Sequence, residues 1–189
     1  MAPKSTLTPE DGKSVEGLTQ SLCLSCGLCC DGTLFSEVPL KPTDDIAAFA
    51  AKGLQISVGA GSRTLKQPCP AHKSCACTVY ADRPSTCRAY QCVLLKRIER
   101  NEISRDAALG VIRETISLIN DVREQMLGAS GDSEWHMSKF TSGLKEHMRE
   151  ISPDQREKCY APLFRTFVAL QSRLDKYFRI EPFLPSSHR

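Results

Sequence analysis

Cys23-Leu24-Ser25-Cys26-Gly27-Leu28-Cys29-Cys30 is the stretch on which the fold of this chain turns. Thiols packed this densely must cross-link, bind metal or oxidise, and each outcome dictates a different architecture. Cys69, Cys75, Cys77, Cys87 and Cys92 follow, and past them only Cys159 remains of the 10 cysteines. Cysteine usage therefore divides the protein into a thiol-rich half and an almost thiol-free half.

Disulfides belong to oxidising compartments and export. The opening residues, Met1 to Gly12, contain no apolar run of the kind a signal peptide needs. Every hydrophobic stretch is interrupted by Arg, Lys or Glu, so no membrane span is expected. These features predict a cytoplasmic protein whose thiols stay reduced. Closely spaced cysteines then read as metal ligands, with structural disulfides as the lesser alternative. Two cysteines three residues apart, with a glycine after the second, form a knuckle that aims both sulfurs at one cation. Iron–sulfur proteins use the same repeats, so spacing leaves zinc and iron–sulfur open. Adjacent side chains diverge, so Cys29 and Cys30 serve different metals or different edges of one centre. Two four-thiolate sites and one cluster with spare thiols both fit the cysteine count.

Further motifs follow in order: Pro68-Cys69-Pro70, then Cys77-x-x-Tyr80-x-x-Arg83-Pro84-x-x-Cys87-Arg88-x-Tyr90-x-Cys92. Together with the opening run they closely resemble the YkgJ-type cysteine-cluster family, a mostly bacterial zinc- or iron-chelating domain named for its CxxCxxCC signature. The resemblance covers residues 20–95 or thereabouts, and its ordered motifs are specific. It implies metal ligands at Cys23, Cys26, Cys29, Cys30, Cys69, Cys77, Cys87 and Cys92. Cys75 is then an extra thiol, and Cys159 lies outside the set. A related domain occurs in flagellin lysine-N-methylases. That makes an iron–sulfur cluster, the four-iron form included, one implied cofactor and zinc the other. The leading expectation is a metal-binding protein that presents a surface to a protein partner. The alternatives are an iron–sulfur redox or protein-modification enzyme, and metal storage or delivery.

The companion residues have two readings each. Arg83 and Arg88 place guanidiniums beside a thiolate-rich centre, where they favour deprotonated sulfur; equally, Arg83 ties a loop to a carboxylate. Tyr80 and Tyr90 read as packing for the site's wall. His72 stands at ligand-like spacing between Cys69 and Cys75, although a surface-loop histidine is the commoner case. His136 and His147 read as polar-face residues, and Cys159 as an inert, half-buried thiol.

Apolar content of 41% and charged content of 25% describe a globular chain, large enough at 189 residues for one domain or a domain with an appendage. The net charge of +3 is spread among acidic residues, as in Lys96-Arg97-Ile98-Glu99-Arg100, which reads as a solvated helix face. No nucleic-acid or membrane partner is expected. The predicted fold is mainly α: irregular Cys-rich metal-binding loops with at most short strands, packed on a helical bundle. Residues 1–20 read as a flexible arm, 21–95 as the cysteine-cluster domain, 96–180 as a helical half and 181–189 as a tail. Asp45 should cap a helix from Ile46, and short strands are expected at Leu54–Val58 and near Thr78–Tyr80. Residues 21–92 hold too little periodic hydrophobicity to fold by burial alone, so metal is expected to supply part of the folding free energy. Beyond them, a helix opens at Val93 and frays near Asn101, and Ser104 caps the next, with Ala108, Val111, Ile112, Thr115, Ile119, Val122 and Met126 recurring at three- and four-residue spacing. Gly128–Asp132 reads as a loop, Trp135 to Ile151 as a second helix, and Pro153 as the start of a last helix that kinks or restarts at Pro162.

Overall fold

The computed structural model describes residues 15–59, 61–74, 76–130, 137, 149 and 152–180. Helix α1 (Val15–Cys26) begins inside the segment expected to be a flexible arm, which corrects that expectation over residues 15–20. It buries Leu22 and stops where Gly27 takes φ 69°, left-handed geometry that only glycine enters freely. The first two cysteines of the opening run are thus a helix end rather than a loop.

A small antiparallel sheet follows. Strand β1 (Glu37–Pro39), helix α2 (Ile46–Ala51), β2 (Ile56–Gly59) and β3 (Ser62–Lys66) arrange themselves with β3 in the middle. Leu65 stands opposite both Val38 and Ile56. Asp45 caps α2 as expected, accepting from the Ala48 N–H at 2.9 Å. Val38, Phe49, Leu54, Leu65 and Ala71 close a buried cluster. The thiol-rich half therefore has an apolar nucleus of its own, though a small one. Strands β4 (His72–Lys73) and β5 (Ala76–Cys77) pair as a minimal hairpin. The strand expected near Thr78–Tyr80 is instead a turn leading into a 3₁₀ turn at Tyr80–Asp82. Pairing ends there because the Thr78 N–H and hydroxyl both go to the Ala71 carbonyl.

Helices α3 (Ser85–Ala89) and α4 (Val93–Glu99) lead to α5 (Arg105–Ser130) and α6 (Pro153–Tyr177). Asn101, at φ 57°, makes the break after α4, and the Ser104 hydroxyl oxygen accepts from the Ala107 N–H at 3.3 Å. The α5 stripe is buried except at Val111, which is half-buried, and it meets Leu163, Leu170 and Leu174 of α6. Among the described residues the helical half is this long pair, with α1 and α4 packed beside it. Polar links also cross the pair: buried Thr115 donates to the Val111 carbonyl and accepts from Arg173 Nε at 2.9 Å, Arg173 also bonds Glu114, and Gln125 Nε2 donates to the Thr166 hydroxyl at 3.1 Å. Helix α5 continues through Gly128 to Ser130, where a loop was expected, and α6 runs through Pro162 without a restart. The helix expected around Trp135, Phe140, Leu144, Met148 and Ile151 lies outside the described residues, as do most of the arm and the tail.

The two apolar clusters, one helical and one on the sheet, both touch Phe35. Leu170, fully buried at the α5–α6 contact, should tolerate truncation badly. Leu170→Ala is expected to lower the denaturant-derived stability by about 2–5 kcal/mol. Val168→Ala, at a site 59% exposed on the same helix, should stay within about 0.5 kcal/mol of wild type.

Candidate metal centre

The last turn of α1 carries Cys23 and Cys26 at the i, i+3 spacing that puts both on one helical face. Gly27 then reverses the chain: its carbonyl accepts from the N–H groups of Cys30 at 2.8 Å and Asp31 at 3.0 Å. Leu28 is driven into the helical cluster, leaving Cys29 and Cys30 to part on either side of the turn. Backbone N–H groups are aimed at three of the sulfurs. Cys26 receives that of Leu28, Cys69 those of Ala71 and His72, and Cys92 those of Leu94 and Leu95. Such bonds favour the thiolate over the thiol.

Cys23, Cys26, Cys29, Cys30, Cys69, Cys77, Cys87 and Cys92 all line one cavity of about 640 Å³. Each is a free thiol; Cys23 is exposed and the other seven are half-buried. Burial pushes Cys26 and Cys30 up to about 12, with neighbouring thiolates adding to the shift, and raises Cys87 to about 11. Without metal these groups are protonated at neutral pH, and metal binding must release their protons. Burial also raises Cys23, and at Cys23 and Cys87 alike the Arg83 guanidinium opposes the rise.

The wall between the cysteines contains three buried polar atoms with no hydrogen-bond partner: Gln67 Oε1, His72 Nε2 and Arg83 Nε. Each such atom costs about 1–3 kcal/mol if left unmatched. The ring of His72 lies against Gly27, so close that a Cβ built there would stand 2.6 Å from Nε2. This corrects the reading of His72 as a surface-loop histidine. Arg83 stacks over the Tyr80 ring, 3.8 Å from its centroid, and its carbonyl accepts from Arg88 Nη2 at 2.9 Å. Of the two arginines, Arg83 is the one beside the sulfurs. Tyr90 packs edge-on against Phe35 and donates its hydroxyl to the Phe178 carbonyl at 2.8 Å, which is the wall-packing role expected of it.

Sequence reasoning missed Asp44. Its carboxylate accepts from the Lys41 N–H, the Ser85 N–H and the Ser85 hydroxyl, the last at 2.7 Å, and so caps α3 from a distant loop. Helix α3 carries Cys87, and Asp44 thereby fixes that ligand candidate to the sheet. Only a Thr-Asp-Asp string marked it in the sequence, and that string reads as a cap for α2.

A soft metal matches this donor set: free thiols sharing one cavity, N–H groups directed at sulfur, and unmatched polar atoms between them. Their arrangement is open, since among the described residues no group of three Cys, His, Asp or Glu side chains is already drawn together to hold an ion. Cys75 and the side chain of Cys159 lie outside the described residues. No helix among the described residues is long and apolar enough to cross a membrane.

A cavity walled by cysteines in this manner defines a metal-chelating domain. Residues 22–109 match the family model described as "CxxCxxCC: Putative zinc- or iron-chelating domain", and over those residues the chain is similar to that family. The match runs past Cys92 through α4 into α5, further than the motifs themselves reach. No curated protein and no solved structure matches the chain.

Two substitutions probe the frame around the cavity. Gly27→Ala meets both left-handed strain and the His72 ring, and should cost about 2 kcal/mol or more. Adding His72→Ala should recover part of that loss in a double-mutant cycle read by denaturant unfolding, because it removes the clash. At Asp44, burial raises the carboxyl, and the three hydrogen bonds outweigh it, so the net shift is below the ordinary value. Stability from a depressed carboxyl is present above its unfolded pKa of about 3.9 and is lost as pH falls through the lower folded value. Asp44→Ala should therefore cost about 2–4 kcal/mol at pH 7 and flatten the acid limb of a stability–pH curve below about pH 4.

Proposed function

We propose that this chain is a cytoplasmic metal-binding protein whose Cys23, Cys26, Cys29, Cys30, Cys69, Cys77, Cys87 and Cys92 hold an iron–sulfur cluster or zinc. The observation that carries this reading is the convergence of all eight free thiols on one cavity. They come from α1, the turn after it, the loop before β4, β5, α3 and the start of α4. No packing requirement explains why a chain would bring that many thiols to one cavity.

The chain's own residues prepare the site in three ways. N–H groups at Cys26, Cys69 and Cys92 lower the cost of holding thiolates. Arg83 offsets accumulated negative charge near Cys23 and Cys87. The largely apolar walls lower the local dielectric and so strengthen the charge interactions inside. When bound, the metal supplies cross-links between segments far apart in sequence, and in the iron–sulfur form the capacity to take up an electron.

Anaerobic purification followed by metal and sulfide analysis tests the reading. Stoichiometric iron with acid-labile sulfide and broad visible absorbance, or colourless protein with zinc that survives dialysis, is the expected result. Serine at any of the eight positions should reduce the retained metal. A metal-free protein that keeps its native fold with every thiol open to alkylation would overturn the proposal, because binding is expected to contribute on the order of 10 kcal/mol to folding.

A further inference from the structure

We infer that the eight cysteines form two separate four-thiolate centres divided at the peptide bond between Cys29 and Cys30. Cys23, Cys26, Cys29 and Cys92 make one; Cys30, Cys69, Cys77 and Cys87 make the other. The inference rests on the metal-binding reading above and adds the number of centres and the assignment of each thiol.

Packing separates the two sets. Cys26, Cys29 and Cys92 lie against the helical cluster, whereas Cys69 and Cys87 lie against the sheet cluster. Backbone bonds draw the second set together. The Cys69 N–H donates to the Cys30 carbonyl at 2.7 Å, the Cys69 carbonyl accepts from His72 at 2.9 Å, and His72 pairs with Cys77 across the hairpin. In the first set, Cys23 and Cys26 share the last turn of α1, and Cys92 opens α4, which packs on the same long helices.

The electrostatic neighbourhoods divide along the same line. Cys29 feels Cys26, Cys92 and Cys23, while Cys30 feels Cys69, Cys87 and Cys77. Cys29 also feels Cys30 across the boundary, a proximity that chain connectivity forces. Two groups stand between the sets. Arg83 acts on Cys23 of one and Cys87 of the other. His72 rests its ring on Gly27, beside the first set, while its backbone belongs to the second. Four thiolates around a divalent cation leave a doubly negative centre. Two such centres side by side repel, and the half-buried Arg83 guanidinium between them offsets that repulsion.

Cobalt(II) titration of the reduced, metal-free, full-length protein under anaerobic conditions counts the centres, because tetrahedral thiolate coordination gives intense visible and charge-transfer bands. The expected wild-type endpoint is two equivalents. Cys29→Ser and Cys30→Ser should each lose the thiolate bands of one equivalent and retain those of the other. Cys23→Ser and Cys77→Ser form a second pair, one from each set, which decides the matter if either turn variant fails to fold. A wild-type endpoint at one equivalent, or loss of all thiolate bands in both members of a pair, would overturn the division while leaving metal binding intact. A wild-type protein that shows no cobalt–thiolate band at all would instead remove the metal-binding reading, and the division with it.

Discussion

The turn from Gly27 to Cys30 is the constraint on which the rest of the thiol-rich half depends. Helix α1 ends there because Gly27 adopts left-handed geometry, and the missing Cβ at that position is also what admits the His72 ring. Within the same few residues Leu28 is sealed into the helical cluster and its carbonyl accepts from the Leu34 N–H at 3.0 Å. Cys30 turns its carbonyl to Cys69. One tight turn thus joins α1, the segment leading to β1, and the loop that carries Cys69 and His72. No larger side chain at residue 27 could satisfy both the backbone and its neighbour.

The helical half serves as the platform for this arrangement. Phe178, just past α6, is buried, and its carbonyl accepts from the Tyr90 hydroxyl and from the Val93 N–H. These bonds bracket Cys92 on both sides, so the position of that sulfur is set by the end of a helix more than eighty residues away in sequence. Burial, followed by the charges of Cys29 and Cys92, keeps the Tyr90 phenol well above its ordinary range, and it stays a neutral donor. The α5–α6 contact and its Thr115–Arg173 link therefore bear on the site although they lie outside it.

What the sequence made legible follows from the range of the interactions involved. The α5 stripe, the Asp45 cap and the ordered cysteine motifs are local patterns, and each was readable from neighbours within a few residues. Helix α1 was not, because its C-terminal turn is written in Cys, Leu and Ser, residues that read equally as a ligand loop. Strand β3 was missed since Ser62-Arg63-Thr64-Leu65-Lys66 shows a single buried apolar side chain, Leu65. The Asp44–Ser85 contact joins residues 41 apart and leaves no periodic trace. His72 was misjudged for the same reason: its burial depends on a glycine 45 positions earlier. Adjacency of Cys29 and Cys30 showed that two directions were available to the thiols, but the partners in each direction come from the fold.

The uneven size of the two apolar clusters bears on where Cys69, Cys77 and Cys87 are placed. The helical cluster spans two long helices and needs no further support, whereas the sheet cluster has five buried members around strands of two to five residues. Strands this short are marginal on their own. Cys69, Cys77 and Cys87 each belong to a different weak segment around that cluster: the loop before β4, the hairpin and α3. In the two-centre arrangement proposed above, linking them to Cys30 fastens those segments to the turn that α1 already anchors in the helical half, and metal loading and the ordering of the sheet become a single event.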